Sequence, residues 1–320
     1  MNKQTGLALI LVLWVLSLLT IMAGSFITSI RRETAMLSAL KDTAAATALA
    51  ESGIQLAQFM LLTEGNKRWH TDGSIYQITT KNAVLRIRLL SEAGKINLNS
   101  ADQAMLQKLF SHSPTGIEAT LPFGRINRAT ALLDWRDSDE FVRLNGAEQQ
   151  QYQDAQLDYS PSNKNLQSLA ELPMILGMDE KTLTWIEPLV TIYGQQANVD
   201  LQQASKEVLQ LFLDNPNLVE QYIKLRTENT KQDLPPPIPP IASAGLSQTS
   251  ILDAITVISE VHQHDSVAII QAVIKKTVNQ TNTPFQLLSW QRNNPHHHSL
   301  FADDMNALIV KHYAESELDN

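Results

Sequence analysis

The residues whose types and spacing could do chemistry are the acidic ones around Gly146. Asp134, Asp137, Asp139 and Glu148 fall within 15 residues and bracket that turn, and Asp154 and Asp158 follow. Oxygen ligands with no His or Cys beside them suit a hard cation, Ca2+ rather than Zn2+. The spacing does not fit an EF-hand loop, so such a site would be irregular. The same residues allow a plainer arrangement, a solvated acidic loop in which Arg136 and Arg143 pair locally. His296 to His298 stand in a polar tail, where a run of His is ordinarily solvated, and His262 and His264 read as outward residues before a strand. There is no G-x-S-x-G, no H-E-x-x-H and no phosphate-binding Gly loop, so no catalytic residues are expected. The chain has no Cys, which excludes a thiol nucleophile, a disulfide frame and a thiolate-bound metal.

The N-terminus offers chemistry of another kind. Leu7 to Ile30 is 24 residues without a charge, stopped by Arg31, Arg32 and Glu33. As a helix it would be about 36 Å long, enough for a hydrocarbon layer of about 30 Å. It is too long for a signal-peptide core of roughly 7–15 residues. Gly6 separates this run from a short polar leader carrying Lys3. Arg31 and Arg32 outweigh Lys3, which sits awkwardly with an N-terminus held in the cytoplasm.

The remaining elements must position these two sites. Residues 33–62 hold no Pro and are rich in helix formers. Leu37, Leu40, Ala44, Thr47, Ala48, Ile54, Ala57 and Met60 recur every three or four positions, which predicts a continued amphipathic helix with a soft point at Gly53. Alternation over Ser74–Thr80 and Ala83–Glu92 predicts a hairpin, and Ser266–Thr277 with Phe285–Arg292 predicts a second one at the C-terminal end. Helical pieces are expected at Ala101–Phe110, capped by Ser100, and at Arg125–Arg136, Ala147–Asp154, Leu166–Glu171, Glu180–Val190 and Val219–Thr227. Leu246–Glu260 reads as helix or strand, and Asp303–Tyr313 as a short helix or an unstructured tail. The run Asn97-Leu-Asn-Ser100 has a second copy in Asn198-Val-Asp200-Leu, each leading into a helix. Leu234-Pro-Pro-Pro-Ile-Pro-Pro240 reads as a semi-rigid extended linker.

Five features then occur in order: the Gly6–Leu7 leader, Ile96-Asn-Leu-Asn-Ser100, Asp134-Trp-Arg-Asp137-Ser-Asp139, Gly146-Ala-Glu148 with Tyr152, and Glu171-Leu-Pro-x-x-x-Gly177-Met178. With the second Asn198-Val-Asp200 run and the terminal hairpin carrying Trp290, the set resembles the large minor pseudopilins of type II secretion systems, the protein K family, over about residues 1–293. The resemblance implies an α+β fold in which a long N-terminal transmembrane helix packs on a small antiparallel sheet, interrupted by a large α-helical domain. The expected divisions are leader 1–6, transmembrane helix 7–30, helix continuation and first strands 31–98, inserted helical domain 99–195, remainder of the α/β domain 196–293 and polar tail 294–320. It implies cleavage between Gly6 and Leu7 by a prepilin peptidase and N-methylation of Leu7. It also implies calcium in the helical domain, and no enzymatic activity.

Major pseudopilins carry Glu at the fifth residue after the cut, whereas Leu11 stands here. A carboxylate in lipid is costly unless paired, so an apolar residue suits a subunit with no neighbour above it. The resemblance accordingly implies a tip position in the pseudopilus, with a single-pass anchor in the inner membrane and the remainder in the periplasm. The implied partners are the minor pseudopilins I and J, with possible contacts to secreted substrates and the outer-membrane secretin. A type IV pilus minor pilin is the nearest alternative. A membrane-anchored DNA-uptake protein is the more distant one, since Leu172–Gly177 looks like the hairpin of helix-hairpin-helix modules. Net charge is −8, from 25 basic and 33 acidic residues, which opposes broad phosphate contact and argues against nucleic acid as partner.

Overall fold

The computed structural model describes residues 5–194, 196–240, 254–264, 266–277, 283–292 and 303–314. Helix α1 (Thr5–Leu62) leads into strands β1 (Asp72–Thr79) and β2 (Ala83–Ser91). Then come β3 (Ile96–Asn97), α2 (Gln103–Ser111), the hairpin β4 (Glu118–Leu121) and β5 (Gly124–Asn127), α3 (Arg128–Arg136), α4 (Gln149–Asp154), α5 (Glu180–Ile186) and β6 (Val190–Thr191). Helices α6 (Lys206–Phe212) and α7 (Pro216–Lys231) precede β7 (Ala254–Gln263), β8 (Ser266–Lys276), β9 (Phe285–Arg292) and β10 (Ile309–Ala314). The fold is α+β, with one long apolar helix, a six-stranded sheet and a separate helical body.

Helix α1 is continuous for 58 residues. None of its most apolar window is covered by its own chain. Only the far end is buried: Ala46, Ala50, Ile54, Ala57 and Leu61 recur at helical spacing and lie against the sheet. Gly53 is not the soft point expected. A Cβ there would stand 2.3 Å from Ser259 Oγ on β7, so Gly is what lets helix and sheet approach.

The sheet order is β10-β1-β2-β7-β8-β9. The two hairpins form as the alternation predicts, and β7 pairs with β2 to join them. The segment left open between helix and strand is strand in its described part, Ala254–Gln263, in keeping with its β-branched Ile255, Thr256, Val257, Ile258 and Val261. The tail meets the expectation of a short helix only in its first half. After a short 3-10 helix at Asp303–Leu308, β10 adds to the sheet parallel to β1, so the sheet is mixed and not antiparallel throughout. Ile309 and Val310 are buried there, and the hydroxyl of Tyr313 accepts from Trp69 Nε1 at 3.1 Å. Trp69 in turn stacks on Tyr76 at 4.1 Å between ring centroids.

The helical body has its own apolar core, which runs from Ile96 to Tyr222. It therefore takes in α6 and α7, beyond the expected limit at 195. Several helix ends differ from expectation for local reasons. Asp102, not Ser100, caps α2 by accepting from Met105 N at 2.8 Å, while the Ser100 hydroxyl donates to the Gln196 carbonyl. Gly124–Asn127 is strand, and α3 starts only at Arg128 because Asn127 is its cap. Helix α5 stops at Ile186, two residues before Pro188, and the chain passes through a tight turn into β6.

The twofold Asn/Asp run is a real structural repeat. Asn97 Oδ1 accepts from Asn99 N at 2.9 Å, and Asp200 Oδ1 accepts from Gln202 N at 3.0 Å. Asp102 and Ser205 then cap α2 and α6. In each copy an arginine clamps the turn: Arg136 donates to the carbonyls of Leu98 and Ala101, and Arg226 to those of Gln202 and Ala204.

Arg226 also joins the two bodies. It donates to the Asp72 carbonyl at 2.8 Å and faces the Asp72 carboxylate at 3.8 Å, and both residues are buried. Thr230 donates to the same carboxylate. Trp69 N is bonded to the Met60 carbonyl, so Asp72 lies close to the end of α1 farthest from the apolar N-terminus. Replacing Arg226 with Leu leaves a buried carboxylate without its countercharge, which typically costs about 3–5 kcal/mol. Thermal unfolding of the full chain in detergent should show a large fall in Tm for Arg226→Leu; an unchanged Tm would remove this pair as the joint.

Candidate functional site: the acidic loop

The loop between α3 and α4 holds the four acidic residues expected to act together. Asp134 is in the last turn of α3 and fully buried. Its carboxylate accepts from Arg143 Nη1 at 2.7 Å, Arg143 N at 3.3 Å and Ala147 N at 2.9 Å. A side chain at Gly146 would strike this carboxylate, with a Cβ only 2.0 Å from Oδ2. The Gly therefore lets the loop close over Asp134. Arg143 also pairs with Asp137, so one guanidinium bridges two carboxylates. Asp139 is exposed and accepts from Phe141 N at 2.9 Å. Glu148 is buried just ahead of α4, and Gln151 Oε1 accepts from its backbone N–H at 2.9 Å.

Local pairing by Arg143 is thus present, while Arg136 turns away to the Asn97 run. Among the described residues no group of three or more His, Asp or Glu is gathered as a metal site. Two carboxylate oxygens of the loop are nevertheless left over. Asp137 Oδ1 and Glu148 Oε1 are buried without a hydrogen-bond partner among the described residues, an arrangement that is costly for a carboxylate. Burial, and then repulsion from Asp134, Asp137 and Asp139, pushes the Glu148 carboxyl from an ordinary 4.5 up to about 7. Burial also raises Asp134, against the pull of Arg143 and two backbone N–H groups. The donor chemistry suits a hard cation, with Asp137 and Glu148 as the residues free to hold it.

The other motif residues build the support. The Glu171 carboxylate accepts from Trp135 Nε1 and from the N–H groups of Gln167 and Ser168, and with Ser168 it forms the capping box of the short 3-10 helix Leu169–Met174. Tyr152 is buried, and its hydroxyl accepts from Leu176 N. Gly177 adopts φ +88°, where a side chain would be strained, and packs on Ala119 and Ile126. Buried Arg128 donates to the Gly177 carbonyl and pairs with Asp179 at 2.9 Å. Gly6 and Leu7 lie inside α1, and Leu11 is exposed on it. His296–His298 fall outside the described residues. Reasoning from sequence passed over Phe141 and Leu144, apolar residues inside an otherwise acidic loop, which are almost fully exposed.

A family model described as "Type II secretion system (T2SS), protein K" matches residues 85–195, the stretch from β2 through this loop to β6. A type II secretion system protein K from Klebsiella pneumoniae is 26% identical over 229 residues, covering 65% of this chain and 69% of that one. Both matches point to the type II secretion protein K family, and they support a minor pseudopilin function in type II secretion. Among solved structures, the GspK-GspI-GspJ complex from enterotoxigenic Escherichia coli is similar at 16% identity and a TM-score of 0.48, covering 83% of this chain and 99% of that one. In this protein K homologue the apolar N-terminal helix is long enough to cross a membrane once.

The raised Glu148 carboxyl sets a pH dependence. A folded-state value above the unfolded one means that the folded chain binds this proton more tightly, so the stabilisation is full below about 4.5 and lost as pH rises through about 7. In a chelating buffer, Tm should fall across that window, and Glu148→Gln should flatten the fall. Parallel profiles for the two proteins would show that Glu148 does not titrate there.

Proposed function

We propose that this protein is a non-enzymatic subunit at the distal end of the pseudopilus. It is cut between Gly6 and Leu7, N-methylated on Leu7 and anchored in the inner membrane, with its body in the periplasm. The observation that carries the reading is the place of the helical body. It is fastened through Arg226 to Asp72, at the end of α1 remote from the apolar segment, where it obstructs the stacking of a further subunit. Leu11 supports the same reading, because an end subunit has no neighbouring amine for a carboxylate to meet. Partners fitting this position are two other minor pseudopilins, as in the complex named above, with the prepilin peptidase acting before assembly. Met36, Leu37 and Leu40 are exposed on α1 beyond the apolar segment, a face suited to packing on other helices. Contacts with secreted proteins and with the outer-membrane secretin follow from a distal position.

Intact mass of the membrane-extracted protein from its native host tests this. The expected species lacks residues 1–6 and carries one extra methyl group. Gly6→Leu should accumulate uncut and lose secretion. An uncut protein that still supports secretion would overturn the reading.

A calcium ion at the acidic loop belongs to the same proposal. It is supported by the two unpartnered oxygens of Asp137 and Glu148 and by the excess of carboxylates around Arg143. Calcium would supply the missing positive charge and stiffen the loop. Added calcium should raise Tm, more strongly above pH 7 than at pH 5, because it competes with the Glu148 proton. The double substitution Asp137→Asn, Glu148→Gln should abolish that rise. A Tm indifferent to calcium at both pH values would leave the loop closed by Arg143 alone.

A further inference from the structure

The acidic loop carries a feature that neither the cation reading nor the pairing by Arg143 requires. Leu144 is 88% and Phe141 83% exposed, more than any other large apolar side chain among the described residues, including those of the apolar end of α1. Val142 between them is half exposed. Exposed apolar residues usually sit singly or on chain that can fold them away, but this backbone is held. Phe141 N donates to Asp139, Arg143 N and Nη1 both donate to Asp134, and Gly146 N donates to the Arg143 carbonyl at 2.8 Å. Thr130 Oγ1 donates to the Leu144 carbonyl, and the Asn145 carbonyl accepts from Asn127 N at the start of α3. Arg143 points inward to its carboxylates, so the residues on either side of it point out. The anchor of the loop is a fully buried Asp on a core helix.

We infer that loop 137–146 is a pre-formed apolar finger, with Phe141 and Leu144 as its anchors, that inserts into an apolar pocket rimmed by Lys and Arg on a folded protein. Pre-organisation lowers the ordering cost of binding, and an aromatic anchor beside an aliphatic one is the usual make-up of an interface centre. The basic rim follows from charge. Ser138, Asp139 and Glu140 are exposed at the base of the finger, and Glu140 directly precedes Phe141. That flank opposes insertion into an anionic bilayer, and it opposes a second copy of this finger. The inference rests on the reading of this body as the distal part of a pseudopilus, where it meets folded proteins.

The test uses the full chain in its native host. One variant carries Phe141→Ser with Leu144→Ser, a second carries Glu140→Lys, and a third has a photoreactive phenylalanine at 141. The probe is the set of proteins that the host secretes into its medium. The double variant should keep its Tm, its abundance and its processed mass, while secretion falls about tenfold or more, as truncating interface anchors does. Phe141→Trp, which keeps an aromatic anchor, should leave secretion at the normal level, and Glu140→Lys should weaken the photo-adduct. That adduct should be to a protein from the secreted set and be lost with Leu144→Ser. Secretion at the normal level in the double variant overturns the inference, and so does an adduct of twice this chain's own mass or one to lipid. Deleting the whole chain separates the two readings. Normal secretion after deletion would sink the proposed function itself. Lost secretion after deletion, with normal secretion in the double variant, would sink the finger alone.

Discussion

The close approach of α1 to the sheet is the constraint on which the rest of the molecule depends. A single helix serves two environments, and the change from one to the other is written in side-chain size. Towards the N-terminus Leu, Ile, Val and Trp cover every face and are exposed among the described residues. From Ala46 onward the buried face is mostly small, and at Gly53 only a hydrogen lies between the helix backbone and Ser259. Small residues let the sheet wrap closely on the helix, and the large residues of the strands, Ile78, Leu85, Ile87 and Ile270 among them, fill the space around it. A helix end fixed this firmly to a sheet can carry the load of whatever is attached at its far end.

What is attached is a second body with its own core, and arginines perform the joining. Arg136 and Arg226 each close an Asn or Asp turn by taking up carbonyls that would otherwise be buried without donors. Arg128 does the same for the segment around Gly177. A guanidinium suits this because it offers several donors in a fixed plane. Arg226 has donors to spare for Asp72 on the sheet, so closure of the second turn and docking of the helical body are one event. Gly94 lets the connection pass within contact of the Gln203 carbonyl, where any Cβ would collide. Glu92, bound by Lys95 and Thr256, fixes the same crossing from the strand side.

In the acidic loop one local arrangement sets both what is buried and paired and what is left exposed. Asp134 is buried because the core of the helical body needs α3 there, and its charge is then met by Arg143 and by backbone N–H groups. That same pairing forces the neighbours of Arg143 outward, which leaves Phe141 and Leu144 in water. Carboxylates remain in excess, so the Glu148 carboxyl rises and two oxygens are left without partners. A hard cation and an apolar partner would each satisfy a different part of this imbalance.

The sequence by itself determined the parts that follow from periodicity and composition. The uncharged run from Leu7 dictates a helix long and apolar enough to span a membrane, alternation fixes both hairpins, and the repeated Asn/Asp run marks two copies of one turn. The resemblance to the protein K family was legible in the order of the motifs, and those in the helical body, Asn97, Asp134, Gly146, Tyr152, Glu171 and Gly177 among them, act as capping or packing devices once seen in place. Tertiary structure decided what depends on distant partners. Ile309 and Val310 become strand because the open edge of β1 accepts them, and Tyr313 fixes them through Trp69. Helices α6 and α7 belong to the helical body because Val208, Leu209 and Val219 complete its core, which no local signal beyond residue 195 announces. Four acidic residues within 15 positions looked like one ligand set. Which of their oxygens meet a guanidinium, which a backbone N–H and which no donor among the described residues depends on how the loop closes over Gly146, and that closure is set by the buried position of Asp134.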